Sequence, residues 1–199
     1  MGRRDSPYSG ELDIKASGLF VSLNFNKRSV AIDLSTDSGM DRLHSLLGDA
    51  DLLIHDLAPN LADSLGLEEL SLRTRYPSMV TCSVTPFGRS GPYSGYEAED
   101  LQVMHGGGWG WLTPGGSDRP ELPPLKPHGQ QAGFQIGFAA ATVALAAVDK
   151  AQRTGTGEHI DFAGMSYIAS MLEAGFITYT FPCLLYPSDP SDDPPLLVL

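Results

Sequence analysis

Two adjacent cations, Lys27 and Arg28, are well suited to binding a phosphate in this 199-residue sequence. They lie in the segment Asn26-Lys27-Arg28-Ser29, a turn that enters a short β-rich run. Lysine offers a mobile point charge and arginine a bidentate fork, and phosphate recognition favours that combination. The competing interpretation is a solvated turn with two surface cations, and composition alone favours this second interpretation.

Other side chains capable of acid–base or ligand chemistry are scattered along the chain. His159 and Asp161 alternate on a strand-like run, which indicates packing or surface positions rather than a catalytic pair. The two cysteines, Cys82 and Cys183, do not make a disulfide framework. Cys82 lies in an apolar run that is typical of a buried free thiol. No Cys/His spacing resembles a metal site, so we expect no metal.

The charge balance argues against several classes of partner. The sequence has 24 acidic and 13 basic residues, a formal net charge of −11, whereas nucleic acids and anionic membranes attract basic surfaces. The longest apolar run, residues 138–148, is interrupted by Thr142 and is too short to span a bilayer. The first residues contain no apolar signal-peptide core. We therefore expect a cytoplasmic protein with no nucleic-acid partner and no membrane partner.

The segments that must position these side chains alternate between strand and helix patterns. Strand-like runs occupy residues 19–24, 29–33, 51–55, 79–84 and 159–162, and helical patterns occupy residues 36–47, 67–75, 130–152 and 165–176. The order strand–helix–strand–helix–strand over residues 29–84 predicts a parallel sheet with helices on its faces. No G-x-G-x-x-G follows the first of these strands, so the sequence does not support a dinucleotide site.

Four strings, in a fixed order along the chain, carry a resemblance to a known family. They are LNFNKRSVAID (residues 23–33), ADLLIHD (50–56), PFGRSGPY (86–93) and RTGTGEHIDF (153–162). Together they resemble the family III CoA-transferases, the group that contains formyl-CoA transferase, carnitine CoA-transferase and α-methylacyl-CoA racemase. The resemblance implies an α/β fold. A Rossmann-like parallel sheet with flanking helices, part of the family's large domain, would be followed by a loop region and a long buried helix.

The resemblance also implies a binding site for coenzyme A, as a substrate. The residues that would contact CoA are Ile32, Asp33, Leu34, Ser35, Asp56, Leu57 and Ala58. The second of these segments departs from the family's E-N-F-x-P-G pattern, because Asp56 replaces an asparagine and Leu57 replaces an aromatic residue. Ser64 stands where the family has a further arginine. One cation fewer and one carboxylate more weaken the attraction for a polyphosphate.

Gly133 stands where the resemblance places the family's nucleophilic aspartate, before the long alanine-rich helix that ends at RTGTG. In the family that carboxylate attacks the acyl-CoA carbonyl, giving a mixed anhydride and then an enzyme-bound CoA thioester. Glycine offers no nucleophile, and the nearest titratable residue in the sequence is His128. We therefore expect no catalytic residue at this position and a chain that is inactive alone.

Two functions remain open. The first is a CoA-transferase that moves CoA between an acyl-CoA and a small carboxylic acid. The alternative is a non-catalytic homologous half of a tandem CoA-transferase-like protein, which would scaffold or dimerise with an active half. The resemblance further implies that the full-length protein is an interlocked homodimer.

The chain divides into three segments of different composition. Residues 1–18 read as an irregular lead-in, residues 19–182 as a partial CoA-transferase domain, and residues 183–199 as a disordered tail. The tail contains four prolines and three aspartates, which prevent regular structure. Its string CLLYPSDPSDD resembles the translation of a transposase-adapter sequence, so a second interpretation is a sequencing artefact. Natural sequence would then stop near Pro182, and about half of a family-length protein, with the family's opening strand and helix, would be missing.

Overall fold

The computed structural model describes residues 17–113, 121–172 and 177. The chain falls into two compact units, Met1–His44 and Ser45–Leu199. The first unit is small, and the second contains the sheet and most of the helices.

Several predicted segments lie outside the described residues. They are most of the lead-in at residues 1–18, the tail at residues 183–199, and residues 173–176 of the last predicted helix. The disordered tail therefore stays a prediction.

The first unit contains helix α1 (Gly18–Leu23) and most of helix α2 (Asp37–Leu47). The sequence predicts strands over residues 19–24 and 29–33, and both predictions are wrong. Ser17 Oγ accepts the backbone N–H of Phe20 at 3.2 Å and caps a helical turn instead. Residues 29–33 pair with no described strand, because the preference for β structure is realised only where a neighbouring strand supplies hydrogen-bond partners.

The second unit is built on a parallel sheet in which β2 lies between β1 and β3. The strands are β1 (Leu52–His55), β2 (Val80–Thr85) and β3 (His159–Ala163). Cys82 of β2 is in register with Ile54 of β1 and with Ile160 of β3. The three strands that the sequence predicts in this unit are thus confirmed, each within one residue of its predicted ends.

Helices connect the strands on both crossovers, which confirms the α/β class. They are α3 (Pro59–Ser64) and α4 (Glu69–Arg75) after β1, α5 (Asp100–Gly106), α6 (Trp109–Leu112) and α7 (Gln131–Thr154) after β2, and α8 (Gly164–Ser170) after β3. Parallel neighbours need such crossovers because a tight hairpin cannot join them.

One face of the sheet packs on α7. The helix presents a row of buried alanines, Ala140, Ala144, Ala147 and Ala151, at helical spacing. Val80 and Cys82 of β2 are fully buried against this row. The alanine methyl groups are small, so the helix lies close to the strands.

Among the described residues, α7 is the one helix whose length and composition would suffice to cross a membrane. These two criteria are weak indicators, since the core helix of an α/β protein passes the same test. The alanine row against β2 is the packing of such a core helix.

Two glycines bring the chain from α7 back to the sheet. Gly155 ends the helix in the left-handed region, with φ 72°, and its N–H donates to Ala151 O at 2.8 Å. Gly157 N–H donates to Pro77 O at 2.8 Å. A Cβ atom at position 157 would lie 2.0 Å from Met79 O, so the close approach requires glycine.

Candidate functional site

The carboxyl ends of the three parallel strands lie at one edge of the sheet, which is where α/β folds bind ligands. β1 ends at His55 and leads into the predicted CoA segment at residues 56–58. β2 ends at Thr85 and leads into the loop PFGRSGPY at residues 86–93. This edge of the sheet is therefore the candidate site of the second unit.

Asp161 of β3 fastens the loop PFGRSGPY to the sheet. The backbone N–H of Arg89 donates to both carboxylate oxygens of Asp161, at 3.1 and 3.0 Å. Gly88 adopts φ 83°, and a Cβ atom there would lie 3.2 Å from Ala163 Cβ. The loop thus needs glycine at position 88, both for its backbone conformation and for its close approach to β3.

The guanidinium of Arg89 pairs with Asp63 at the end of α3. An open cleft of about 710 Å³ lies beside this pair. Its lining residues are Asp63, Glu68, Glu69, Leu70, Arg73 and Arg89. Three carboxylates and two guanidinium groups give this cleft a net negative charge, which disfavours a polyphosphate.

Two imidazoles lie on the face of the sheet opposite α7. His159 Nδ1 lies 2.7 Å from Thr81 Oγ1, and its Nε2 lies 3.4 Å from Ser83 Oγ. Both ring nitrogens of His55 are buried and make no hydrogen bond within the described part of the chain. Burial is the main cause that lowers the pKa of each histidine, and the positive charge of Arg89 lowers both pKa values further. Both rings are therefore neutral at pH 7.

The first predicted CoA segment, Ile32, Asp33, Leu34 and Ser35, forms the turn that starts α2 in the first unit. Asp33 Oδ1 accepts the backbone N–H of Ser35 at 3.0 Å and its hydroxyl at 2.6 Å. The Ser35 hydroxyl and then its N–H lower the pKa of Asp33, so this exposed carboxylate is ionised. Ile32 and Leu34 are half-buried.

The second predicted CoA segment, Asp56, Leu57 and Ala58, connects β1 to α3 in the second unit. Asp56 and Ala58 are exposed and Leu57 is half-buried. The Ser64 hydroxyl donates to Leu61 O at 2.8 Å, so it turns back onto its own helix. The two predicted segments therefore belong to different compact units of the chain.

Gly133 lies in the first turn of α7, and a carboxylate from another helix contacts it. Its backbone N–H donates to Asp100 Oδ1 at 3.1 Å. Lys126 Nζ lies 2.9 Å from Asp100 Oδ2. A Cβ atom at position 133 would meet only Gln130 Cβ, at 4.0 Å, so a side chain there has room.

Sequence reasoning did not identify Asp100 as a neighbour of Gly133. His128 is the nearest titratable residue in the sequence, whereas Asp100 precedes Gly133 by 33 positions. One signal existed, because Asp100-Leu101 partly matches the family's G-Y-D-L pattern. That pattern does not show which residue the carboxylate contacts.

Comparison with known proteins identifies the family. A sequence profile of CoA-transferase family III matches residues 2–189. Succinyl-CoA:(R)-benzylsuccinate CoA-transferase subunit BbsE of Thauera aromatica is 34% identical over 173 residues, covering 86% of this chain and 41% of that protein. The probable CoA-transferase Rv1866 of Mycobacterium tuberculosis is 32% identical over 161 residues, covering 79% of this chain and 19% of that protein.

A solved structure supports the same relationship. The crystal structure of a CAIB/BAIF family protein from Brucella suis superimposes with a TM-score of 0.70 and 30% sequence identity. The match covers 77% of this chain and 40% of that protein. This chain thus spans less than half the length of these relatives, and it belongs to CoA-transferase family III.

Proposed function

We propose that the protein takes part in the transfer of CoA between an acyl-CoA and a small carboxylic acid. The observation that carries the proposal is the family match over residues 2–189, which includes all four strings of the sequence resemblance. CoA would be a substrate in this reaction, and the proposed reaction uses no metal. Succinyl-CoA and (R)-benzylsuccinate, named for the Thauera relative, are reasonable first compounds to test.

The proposed CoA contacts are the two segments implied by the resemblance. Residues 56–58 follow β1 at the carboxyl edge of the sheet, where such folds bind ligands. Residues 32–35 lead directly into α2. We expect the CoA phosphates to bind weakly, because the cleft beside Arg89 has an acidic lining and because position 64 is a serine instead of an arginine.

The proposed reaction requires a nucleophilic carboxylate that position 133 does not provide. We infer that Gly133 occupies the aspartate position, because it lies in the first turn of the alanine-rich helix that ends at RTGTG. Asp100 is close to this position, but its oxygens accept the Gly133 N–H and pair with Lys126. Asp100 is therefore already engaged at the start of α7, as an acceptor for a backbone N–H and as the ion-pair partner of Lys126.

The second candidate function, a non-catalytic homologous half, is favoured by this substitution. The Thauera relative is described as a subunit, and the match covers only 19% of the M. tuberculosis relative. Both observations support an arrangement in which another copy of the fold supplies the carboxylate. As further proposals from the resemblance, the full-length protein is an interlocked homodimer and is cytoplasmic. The net charge of −11 supports the absence of nucleic-acid and anionic-membrane partners.

The test combines an activity assay with the sequence of the gene. We expect the isolated chain to show no transfer of CoA from succinyl-CoA or formyl-CoA to a panel of carboxylic acids, measured by chromatography. A hydroxylamine-trappable acyl-enzyme in the unmodified chain would contradict the assignment of Gly133 or reveal another nucleophile. A second copy of the fold in the same gene, with an aspartate at the equivalent position, would favour the non-catalytic half.

A further inference from the structure

Three segments of the second unit meet at the first turn of α7. Asp100 is the first residue of α5, Lys126 belongs to the connection that precedes α7, and Gly133 belongs to α7 itself. The side chains of Asp100 and Lys126 are only 12% and 24% exposed. A partly shielded ion pair of this kind holds its geometry better than a fully exposed pair.

The ammonium group of Lys126 contacts one carboxylate and two backbone carbonyl groups. Its Nζ pairs with Asp100 Oδ2 at 2.9 Å and donates to Pro127 O at 3.0 Å and to Gly129 O. The contact with Asp100 is an ion pair, whereas the two carbonyl oxygens accept hydrogen bonds from the ammonium group. Lys126 therefore ties Asp100 to the connection before α7.

The start of α7 is stabilised by a residue far away in the sequence. The first N–H groups of a helix have no partner within the helix, and a capping side chain usually supplies one. Gln130, at the N-cap position, is not among the residue types that favour this role. Asp100 accepts the N–H of Gly133 instead, and its negative charge also suits a helix N-terminus.

Helix α5, which carries that carboxylate, is held in place by a capping hydrogen bond and by buried contacts with α7 and α8. Gln102 Oε1 accepts the N–H of Glu99 at 3.0 Å and fixes the start of α5. Val103 and Met104 are buried in one cluster with Ala132 of α7 and Ile168 of α8. The carboxylate of Asp100 is thus held between two helices that pack on each other.

We propose that Asp100 is a positioning residue: its carboxylate, held by Lys126, fixes the backbone at position 133 in the placement that the family's nucleophilic aspartate needs, although this chain carries glycine there. The link to CoA transfer rests on the proposed function, which assigns position 133 to the family's nucleophile. The capping contact between Asp100 and Gly133 does not depend on that assignment. A group that reacts from position 133 would need this placement, because reacting groups must be held to within about 0.5 Å.

The experiment measures hydrogen exchange of the backbone amides of α7 by NMR in the complete chain. Asp100→Ala removes the acceptor and the charge, Asp100→Asn keeps a carbonyl acceptor, and Lys126→Met removes only the cation. The matched control is Asp149→Asn, because Asp149 is also a carboxylate paired with a cation, Arg153 at 2.6 Å, but at an exposed site in the same helix.

We expect Asp100→Ala to accelerate exchange at Gly133 by roughly tenfold to a hundredfold, the scale of a lost hydrogen bond to a charged group. Asp100→Asn should restore part of the protection, Lys126→Met should cause a smaller acceleration, and Asp149→Asn should leave Gly133 unchanged. Exchange at Ala144, in the middle of α7, should stay within about threefold in every variant, since only the first helical turn depends on the cap.

Two results would overturn the proposal. One is an unchanged rate at Gly133 in Asp100→Ala, and the other is an equal acceleration at Gly133 and Ala144, which would indicate general destabilisation. If Asp100→Ala does not fold, an unchanged exchange rate at Gly133 in both Asp100→Asn and Lys126→Met would overturn the proposal. A hydroxylamine-trappable acyl-enzyme in the unmodified chain would count against the assignment of Gly133 and would leave these exchange rates unaffected.

Discussion

At the scale of single residues, the chemistry available at the start of α7 depends on the side chain at position 133. Glycine supplies only its N–H, which is bound to Asp100 at 3.1 Å. The space around a Cβ atom there is open apart from Gln130 Cβ at 4.0 Å. A carboxylate can therefore be introduced at this position. The variant separates the effect of the missing nucleophile on CoA transfer from the effects of the other departures from the family.

We expect Gly133→Asp to fold with a free energy of unfolding within about 1 kcal/mol of the unmodified chain, because no packing is disturbed. We expect little CoA transfer from this variant, since the segment around Asp56 and Leu57 and the serine at position 64 also depart from the family. Urea unfolding and the chromatographic transfer assay measure the two quantities. Robust turnover would show that the CoA site is intact despite these departures.

The two neutral histidines beside Arg89 predict a pH dependence of stability. The folded pKa values of His55 and His159 are lowered from 6.5, so the unfolded chain binds more protons than the folded chain below that pH. Stability should be complete above about pH 6.5 and should fall as the pH drops from there through the folded pKa values. Urea unfolding at pH 7.5 and pH 5.5 measures the loss, and His55→Leu should show a smaller loss. An equal loss in both proteins would contradict the role of His55.

At the scale of elements, the packing of α7 on β2 and the return of the chain to β3 depend on small residues. The alanine row of α7 lets the helix approach Val80 and Cys82 closely. Gly157 then passes so near β2 that no side chain fits against Met79 O. The two glycines of the string RTGTG are thus explained by the end of α7 and by close packing against β2.

Two glycine-to-alanine changes should have opposite effects on stability. Gly157→Ala should cost about 1–3 kcal/mol or more, because its Cβ atom would lie 2.0 Å from a backbone oxygen. Gly137→Ala, in the interior of α7 with nothing within 4 Å of its Cβ position, should stabilise by about 0.5–1 kcal/mol. Chemical denaturation of both variants measures these differences. Destabilisation by Gly137→Ala would mean that the exposed face of α7 is packed in solution.

At the scale of the whole molecule, the chain carries the sheet of a family fold but spans less than half of its relatives. The exposed face of α7 includes large apolar side chains, with Phe138 and Leu145 exposed by 78% and 66%. Isolated apolar residues are common on protein surfaces. Within the described part of the chain, the side chains of Phe138 and Leu145 are thus mostly uncovered. The contacts between α7 and the sheet are made by the alanine row on another face of the helix.

Deleting residues 183–199 should change the free energy of unfolding by no more than a few tenths of a kcal/mol. The four prolines and three aspartates of this segment oppose regular structure, and changes that break no packing have small effects. Thermal and urea unfolding of the shortened and complete chains provide the comparison. A loss well above 1 kcal/mol would show that the tail packs on the rest of the chain.

The sequence by itself determined the family, the order of the three strands in the second unit, and the positions of α4, α7 and α8 among them. Its strings and hydrophobic patterns are local, and they predicted β1, β2, β3 and α7 to within about two residues at each end. The strand predicted at residues 29–33 failed for a physical reason: a strand depends on a neighbour, and the pattern of one segment does not show whether that neighbour exists.

Only the tertiary structure decided which charged groups meet. Asp100 reaches the N–H of Gly133 across 33 residues, and Arg89 reaches Asp63 across 26 residues. Such contacts depend on how helices and loops pack around the sheet, and the spacing of residues along the chain carries no record of that packing. The sequence therefore showed that position 133 lacks a carboxylate side chain. The fold showed that a carboxylate from α5, that of Asp100, accepts the backbone N–H at this position.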